Sequence, residues 1–262
     1  MADDRRAFRP TGEEAAARTT TKPAVLMVGA DKGGVGKTTV ARTLLDYLAA
    51  KNLGARAFDA EFPRGTLKRF HPKITEIIDI TAAADQMKML DTLASSDAQI
   101  SLVDISAGLL SRTLKAFTDV GFFELVRAGE LNFCLLHVVG PAVASLNEIG
   151  EVMNFAEGDS YFVVKNFINE TSFFDWNPGT YKSYFKNTKD VVEVNIPKLN
   201  EMAYEQVELA GIPFSTFIAN KTAQGQAANH SLVLRGYVRT WLNQIAAEYE
   251  RVGLLDRLLE VR

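Results

Sequence analysis

Residues 31–39 read DKGGVGKTT and directly follow the apolar run AVLMVGA at 24–30. Glycines at 33, 34 and 36 would let backbone N–H groups approach an anion closely, because no Cβ stands in the way. Lys37 would then reach the β- and γ-phosphates of a nucleotide, while the hydroxyl of Thr38 would bind Mg²⁺. The spacing predicts a phosphate-binding loop between a strand and a helix whose N-terminus lies beneath the phosphates. The residues expected to bind the nucleotide here are Gly33, Gly34, Val35, Gly36, Lys37, Thr38 and Thr39.

The loop departs from the pattern G-x-x-x-x-G-K-[ST] at its first position, where Asp31 replaces glycine and Lys32 follows. An aspartate fits there only if its backbone φ is an ordinary one. The segment KGGVGKTT resembles the deviant phosphate loop of the ParA/MinD family of P-loop ATPases, which tolerates this replacement. The resemblance implies that Lys32 reaches across an ATP-sandwich homodimer to the phosphates bound by the partner. A cation in that position stabilises charge during phosphoryl transfer, and dimerisation would depend on ATP.

The stretch ARAFDAEFPRGTL at 55–67 resembles the first switch of the same family, which typically reads D-x-D-P-Q-G after the second strand. Asp59 matches the first aspartate, Glu61 stands where the second is expected, and Phe62 is inserted before Pro63. In the family the second acid helps to position the attacking water. Glutamate moves that carboxylate one methylene outward, so the resemblance implies a slow or partner-stimulated ATPase. The candidate catalytic residues are Lys32, Lys37, Asp59 and Glu61.

The segment ISLVDIS at 100–106 fits the Walker B pattern, an apolar strand that ends in an acid. Its Asp104 would hold Mg²⁺ opposite Thr38, so these two residues are the candidate metal ligands. The following SAGLLSRT at 106–113 would be the second switch.

Two later segments resemble the part of the family's site that surrounds the base. In VVKNF at 163–167, Asn166 would hydrogen-bond the edge of adenine, because an amide offers both a donor and an acceptor. In NIPKL at 195–199, Ile196 and Pro197 would line the apolar face of the base.

Short apolar runs alternate with amphipathic stretches from residue 24 onward. The predicted strands are 24–30, 55–60, 100–106, 131–139, 161–167, 191–196 and, less regular, 214–219. The predicted helices are 38–51, 82–96, 111–129, 142–156, 200–211 and a long one near 225–250. Strands that are apolar throughout and alternate with helices indicate a single doubly wound, mainly parallel sheet covered by helices on both faces, the α/β fold of P-loop NTPases.

Length and composition suit one globular domain, with 262 residues of which 47% are hydrophobic and 23% charged. Residues 1–22 are polar and without hydrophobic periodicity, so we expect a disordered tail followed by the ATPase domain at 23–262. A single cysteine, Cys134, excludes an internal disulfide. The chain has neither an apolar run long enough to span a membrane nor a signal-peptide core, which favours the cytoplasm.

The net charge of −3 does not indicate general nucleic-acid binding, so a contact with non-specific DNA would need a local basic patch such as Arg235 and Arg239. The C-terminal segment 249–262 is amphipathic, but Asp256 and Glu260 oppose binding to an anionic membrane. Residues 167–185 are rich in aromatics, which suits either a partner or cargo surface or a segment packed on its own sheet edge.

The phosphate loop and the Walker B acid predict an ATPase that binds Mg-ATP. The resemblance to the ParA/MinD family implies that it hydrolyses ATP slowly and switches between monomer and ATP-sandwich dimer to place or segregate DNA or another cargo. An activating partner protein or cargo is expected, without a clue to its identity. One alternative is an ATP-dependent synthetase or ligase for a small molecule, which would need no lysine acting in trans, so Lys32 disfavours it. Another is a non-hydrolysing ATP-dependent scaffold, which follows if Glu61 cannot replace aspartate.

Overall fold

The computed structural model describes residues 22–259 apart from 94, 96–97, 141–142, 154, 156–160, 169–178 and 180–190. The strands are β1 (Ala24–Gly29), β2 (Ala55–Asp59), β3 (Thr75–Ile77), β4 (Ile100–Asp104), β5 (Asn132–Val139), β6 (Tyr161–Asn166) and β7 (Val192–Ile196). The helices are α1 (Lys37–Ala50), α2 (Thr66–Phe70), α3 (Ala83–Leu93), α4 (Leu110–Asp119), α5 (Phe122–Arg127), α6 (Val143–Val152), α7 (Glu201–Ala210), α8 (Phe214–Ile218), α9 (Leu232–Arg251) and α10 (Leu254–Leu259). The tail prediction falls on residues outside this description, as does most of the aromatic stretch at 167–185.

The seven described strands form one sheet in the order β3-β2-β4-β1-β5-β6-β7. Every neighbouring pair runs parallel, and β1 lies at the centre between β4 and β5. The predicted single, mainly parallel sheet is therefore confirmed. In such a sheet all carboxyl ends of the strands lie at one edge, which is where ligands bind in open α/β folds.

Two hydrophobic cores lie on opposite faces of the sheet, because successive residues of a strand point to opposite sides. On one face, Leu26 and Val28 of β1 pack with α1 and with the helices α7 to α10. On the other face, Val25 and Met27 pack with α3 to α6. Both faces of β1 are thus covered, which explains why its six residues are all buried and apolar or glycine.

Helix α1 is fixed by two buried charged residues four positions apart on one helical face. The guanidinium of Arg42 stacks on the rings of Phe70 and Phe214, 3.4 and 4.2 Å from their centroids, and forms an ion pair with Glu208 of α7. Asp46 accepts hydrogen bonds from the backbone N–H groups of Phe214 (2.9 Å) and Ser215 (3.4 Å) at the start of α8. Burial nevertheless raises the pKa of Asp46 to about 6.

Residues 214–219, predicted as a further strand, instead form the short helix α8. The correction has a tertiary cause, because the Asp46 carboxylate satisfies the first N–H groups of α8 from a distant part of the chain. Conversely, the sequence patterns do not predict the edge strand β3. Its three residues, TEI, are too few to show the alternation of apolar and polar residues that indicates a strand.

Two predicted helices also have different bounds. The segment 111–129 is two helices, α4 and α5, because the chain breaks at Gly121, whose φ of 78° does not fit a right-handed helix. The helix predicted near 225–250 begins only at Leu232, where the Ser231 side chain accepts a hydrogen bond from the N–H of Leu234.

The C-terminal amphipathic segment docks on its own domain. Val252, Leu254 and Leu258 are buried in the core on the α1 side of the sheet, and Leu255 and Leu259 are partly buried against it. Among the described helices, none combines the length and the apolar character that crossing a membrane would require.

Candidate functional site

The carboxyl ends of the three strands β2, β4 and β1 bring the predicted site residues together. Asp59 is the register partner of Asp104, and Asp104 is in turn the partner of Val28, just before the loop. The loop at 30–36 follows β1 and leads directly into α1 at Lys37. The strand–loop–helix arrangement predicted from DKGGVGKTT is therefore present, and Asp59 and Asp104 lie at the ends of the neighbouring strands.

Gly36 is required at the junction of the loop and the helix. Its φ is 86°, and a Cβ placed there would lie 2.2 Å from Nδ2 of Asn166. The carbonyl of Gly36 accepts the N–H of Val40 at 3.1 Å, which is the first bond of α1. Because it has no side chain, Gly36 lets the loop approach Asn166 at the end of β6. Its carbonyl forms part of the first turn of α1.

Lys37 is buried at the start of α1, and its ammonium donates a hydrogen bond to the carbonyl of Lys32 at 3.2 Å. Burial lowers the pKa of Lys37, while the nearby carboxylates of Asp104, Glu148 and Glu61 act in the opposite direction. The ammonium offsets the negative charge of these carboxylates beside the loop, and it could turn from the carbonyl of Lys32 to form a charge-assisted bond with a phosphate.

Asp104 is only 4% exposed, and its Oδ1 has no hydrogen-bond partner among the described residues. Burial raises the pKa of Asp104 to about 7, with Asp59 and Glu61 adding to the effect and the hydroxyl of Thr38 opposing it. A buried carboxylate oxygen without a partner, beside a threonine hydroxyl, is the kind of oxygen donor set that Mg²⁺ binds. The residues present therefore fit the predicted Mg²⁺ ion.

Two adjoining pockets open beside the loop. The first, which we name the loop pocket, has a volume of ≈ 370 Å³ and is lined by Gly34, Gly36, Lys37, Thr38, Thr39, Glu61, Asp104, Ile105, Ser106, Ala107, Ile168 and Tyr204. The second, which we name the side pocket, has a volume of ≈ 380 Å³ and is lined by Thr39, Asn166, Ile168, Pro197, Lys198, Leu199, Glu201, Tyr204 and Trp241. They share three residues, so together they form one elongated cleft that runs from the loop to the end of β7.

Asp59 and Glu61 are close in sequence but differ in their surroundings. The carboxylate of Asp59 accepts the backbone N–H groups of Glu61 and Lys68, both at 3.0 Å, so it supports the segment between β2 and α2. Glu61 lines the loop pocket, and its carboxylate accepts a hydrogen bond from the hydroxyl of Thr66. Of the two acids, Glu61 is the one with access to a ligand in the cleft.

The three residues predicted to surround a base differ in their access to the cleft. Asn166 lines the side pocket, donates to the carbonyl of Val35 at 3.0 Å and accepts the N–H of Ile168 at 3.2 Å. Pro197 also lines the pocket, whereas Ile196 is 0% exposed and packs in the core, so it cannot line the face of a base. This corrects the expectation for Ile196.

Tyr204 and Trp241 line the cleft but did not stand out in the sequence. Tyr204 borders both pockets from α7, and the indole N–H of Trp241 on α9 donates to the carbonyl of Pro197 at 2.6 Å. Both occur in ordinary amphipathic helices, where an aromatic at helical spacing indicates a core position. That Tyr204 and Trp241 line the cleft becomes apparent only when α7 and α9 are seen to pack near the end of β7.

Lys32 is exposed at the outer side of the loop and is not among the described residues that line either pocket. Its side chain lies near the end of β5, since a Cβ built on Gly140 would be 3.8 Å from Cδ of Lys32. The loop lysine therefore differs from Lys37, which turns into its own site.

Asp31 replaces glycine without strain, because Asn52 and Asn220 are the only described non-glycine residues with a positive φ. Its carboxylate accepts hydrogen bonds from the N–H (3.3 Å) and the hydroxyl of Ser111 on α4. Its carbonyl accepts the N–H of Gly108 at 2.7 Å, and its own N–H donates to Glu148 at 3.3 Å. The aspartate thus ties the phosphate loop to the segment predicted as the second switch.

Asp31→Ala is expected to lower the free energy of unfolding by about 1–3 kcal/mol, because Ser111 would lose the charged acceptor of its N–H and hydroxyl. Denaturant unfolding of Asp31→Ala, Ser111→Ala and the double variant would measure the coupling. We expect the double variant to lose less than the sum of the two single losses. Strictly additive losses would show that the two side chains do not stabilise each other.

No family model matches the sequence, and a sequence comparison with curated proteins also finds no match. Solved structures, in contrast, share the fold. A ParA family ATPase from Chlorobium tepidum TLS aligns with a TM-score of 0.53 at 15% identity, covering 85% of this chain and 98% of that one.

Two archaeal proteins align equally well. The septum site-determining protein MinD of Pyrococcus horikoshii OT3, complexed with Mg-ADP, has a TM-score of 0.53 at 15% identity, covering 88% of this chain and 97% of that one. The cell division ATPase MinD of Pyrococcus furiosus has a TM-score of 0.53 at 17% identity, covering 88% and 99%. The chain thus has the P-loop NTPase fold of the ParA and MinD ATPases.

Proposed function

We propose that the protein is a Mg-ATP-binding, slowly hydrolysing ATPase that switches between a monomer and an ATP-sandwich dimer to partition or position DNA or another cellular cargo. The observation that carries the proposal is that one pocket at the carboxyl edge of the sheet is lined by the buried Lys37 and by Asp104, whose Oδ1 has no hydrogen-bond partner within the described part of the chain. A polyphosphate would bind the ammonium, and its divalent cation would bind that oxygen.

The nucleotide would occupy the whole cleft. Its phosphates would lie in the loop pocket against the backbone N–H groups of residues 33–38, with Lys37 turning from the carbonyl of Lys32 to the β- and γ-phosphates. Thr38 and Asp104 would hold Mg²⁺, which neutralises phosphate charge when bound. The MinD of similar fold from Pyrococcus horikoshii was solved with Mg-ADP, which supports this assignment.

The base would occupy the side pocket. The ring of Pro197 and the side chain of Tyr204 supply apolar surface, and the amide of Asn166 retains a second N–H and a second lone pair for the edge of adenine. The same amide already forms hydrogen bonds to the carbonyl of Val35 and to the N–H of Ile168. It would therefore hold the loop in place and hydrogen-bond the base at the same time.

Hydrolysis needs a water molecule aligned for attack on the γ-phosphorus, with cleavage of the bond to the bridging oxygen and release of ADP and phosphate. Glu61 is the acid of the first-switch segment that borders the loop pocket, so its carboxylate would accept a hydrogen bond from that water. The carboxylate is shared with the hydroxyl of Thr66, which fits a slow rate that a partner could increase by reorienting this segment.

Two alternatives remain distinct from this proposal. A small-molecule ATP-dependent synthetase or ligase would need a substrate beside the γ-phosphate, and would not need the exposed Lys32. A non-hydrolysing scaffold would bind ATP and dimerise without turnover. Activation by a partner or cargo, and the role of DNA, belong to the same proposal and are tested by adding each to the ATPase assay.

Glu61→Ala is expected to bind Mg-ATP as the wild type does, to lower turnover roughly 100-fold or more, and to prolong the ATP-bound dimer. Phosphate release and light scattering after a pulse of ATP would measure both effects. Glu250→Ala, which removes an exposed glutamate at the far end of α9, is the matched control.

Glu61→Asp restores the side chain typical of the family and should raise turnover. A lower rate in Glu61→Asp would mean that the site is tuned to glutamate, and wild-type turnover in both variants would mean that another group aligns the water. Stable ATP binding with no turnover in the wild type, with or without DNA, would favour the scaffold.

A further inference from the structure

The loop pocket and the side pocket meet at the three residues that line both of them, Thr39, Ile168 and Tyr204. In a nucleotide the sugar lies between the phosphates and the base. With the phosphates in the loop pocket and the base in the side pocket, the sugar lies where the two pockets meet. The three shared residues therefore mark the position of the sugar.

Tyr204 is the shared residue whose side chain has a hydrogen-bonding group to spare for the sugar. Ile168 has an apolar side chain, and its N–H already bonds to Oδ1 of Asn166 at 3.2 Å. Thr39 is buried directly after Thr38, on the phosphate side. Tyr204 is only partly buried against the core, and its hydroxyl forms no hydrogen bond within the described part of the chain. A phenol can both donate and accept, so it can bond to a sugar hydroxyl in either direction.

Hydrogen bonds fix the turn of α7 that carries Tyr204. Oδ1 of Asn200 accepts the N–H of Ala203 at 3.1 Å and so caps the N-terminus of the helix. The carbonyl of Asn200 accepts the N–H of Tyr204 at 2.9 Å. Just before this turn, the indole of Trp241 donates to the carbonyl of Pro197 at 2.6 Å. The backbone of Tyr204 is thus already ordered, so a ligand would not have to order it.

The ion pair between Arg42 and Glu208 fixes α7 beside α1. Arg42 follows Thr39 by three residues on α1, and Glu208 follows Tyr204 by four residues on α7. Residues at these spacings lie on one face of a helix, one turn apart. The buried ion pair therefore holds Tyr204 and Thr39 next to the same stretch of the cleft, one turn closer to its phosphate end.

We propose that Tyr204 recognises the sugar of the bound nucleotide, with its hydroxyl hydrogen-bonded to a ribose hydroxyl, so that the site prefers ribonucleotides to deoxyribonucleotides. The inference rests on the proposed nucleotide site and names a residue that sets its substrate class. Because the phenol is only partly buried, water can replace the missing sugar hydroxyl when a deoxynucleotide binds. The preference is therefore modest, and smaller than in a site that buries its hydrogen-bonding groups completely.

Mg-ADP is the probe for this inference, because it carries the sugar but lacks the γ-phosphate. Neither hydrolysis nor the ATP-bound dimer then enters the measurement. Calorimetry of the wild type with ADP, 2′-deoxy-ADP and 3′-deoxy-ADP is expected to show about three- to tenfold weaker binding of one deoxy form. The form that binds more weakly identifies the sugar hydroxyl. Equal affinities for all three nucleotides would overturn the inference.

Tyr204→Phe removes the hydroxyl and keeps the ring. The variant is expected to bind all three nucleotides with the affinity that the wild type has for the weaker deoxy form, because in each case one partner of the hydrogen bond is missing. Tyr237→Phe is the matched control, since Tyr237 is 47% exposed on α9 and is not among the described residues that line either pocket. We expect Tyr237→Phe to keep the wild-type preference.

A second outcome of the same series would also contradict the proposal. If Tyr204→Phe binds all three nucleotides more weakly by one common factor, the hydroxyl contacts the base or the phosphates instead of the sugar.

These measurements separate the inference from the function on which it rests. If the wild type binds none of the three nucleotides, the proposed nucleotide site fails. If the wild type binds all three and Tyr204→Phe changes no affinity ratio, the site stands and only the role of Tyr204 fails.

Discussion

Lys37→Ala is expected to abolish Mg-ATP binding. Among the described residues that line the loop pocket, Lys37 supplies the cation, and it offsets the negative charge of four nearby carboxylates that would otherwise repel a bound polyphosphate. Truncating one member of a desolvated charge pair costs roughly 2–5 kcal/mol, which weakens an affinity by a factor of about 30 to several thousand. Calorimetry with Mg-ATP would measure the loss.

The matched control for this variant is Lys51→Ala, which removes an exposed lysine just beyond the other end of the same helix. We expect Lys51→Ala to bind Mg-ATP as the wild type does. Because removal of Lys37 also leaves buried acids without their cation, thermal unfolding should confirm that Lys37→Ala is folded. A folded Lys37→Ala that retains wild-type affinity would refute the phosphate-loop assignment.

Lys32→Ala is expected to bind one ATP per chain but to lose ATP-dependent dimerisation and most hydrolysis. Lys32 is exposed and lines neither pocket of its own chain, so its loss should not affect binding in cis. If it contacts the phosphates of a second copy, its loss costs roughly 2–5 kcal/mol of association energy. Light scattering with a non-hydrolysable ATP analogue would compare the dimer fractions of wild type and variant.

Lys73→Ala is the control for loss of one exposed positive charge. Lys73 lies just before β3, and in a parallel sheet this places it at the edge opposite to the phosphate loop. Lys32→Arg should restore dimerisation only in part, because a planar guanidinium does not reproduce a compact ammonium in a tight loop. Equal dimer fractions for wild type and Lys32→Ala would mean that Lys32 is a surface residue with no role in trans, and that the resemblance to the ParA/MinD family does not extend to mechanism.

The parts of the fold that could be predicted from sequence are those in which local pattern and tertiary environment agree. The strand AVLMVG is apolar throughout because both faces of β1 are covered. Gly36 has a positive φ, which glycine adopts more easily than other residues, so a glycine in the loop sequence indicates this backbone conformation. The acid at the end of β4 could be predicted in the same way, because it ends an apolar run. These features define the loop pocket.

The remaining features depend on contacts between distant parts of the chain. Residues 214–218 contain aromatics and a β-branched threonine, yet they form a helix because Asp46 binds its first N–H groups. Tyr204 lines the cleft only because α7 packs near the end of β7. Ile196 does not line it, because its side chain is buried in the core. The role of Asp31 depends on Ser111, which is 80 residues away. No local pattern contains such information.

The central position of β1 has a consequence for how the chain is made. The phosphate loop is synthesised before β4 and β5, but its strand needs β4 on one side and β5 on the other. Until Val139 has left the ribosome, β1 remains an open edge whose six residues are all apolar or glycine, a template for wrong pairing with other chains. Nascent chains that stop between β4 and β5 would expose this edge permanently, so truncated products of this length are candidates for aggregation and for capture by chaperones.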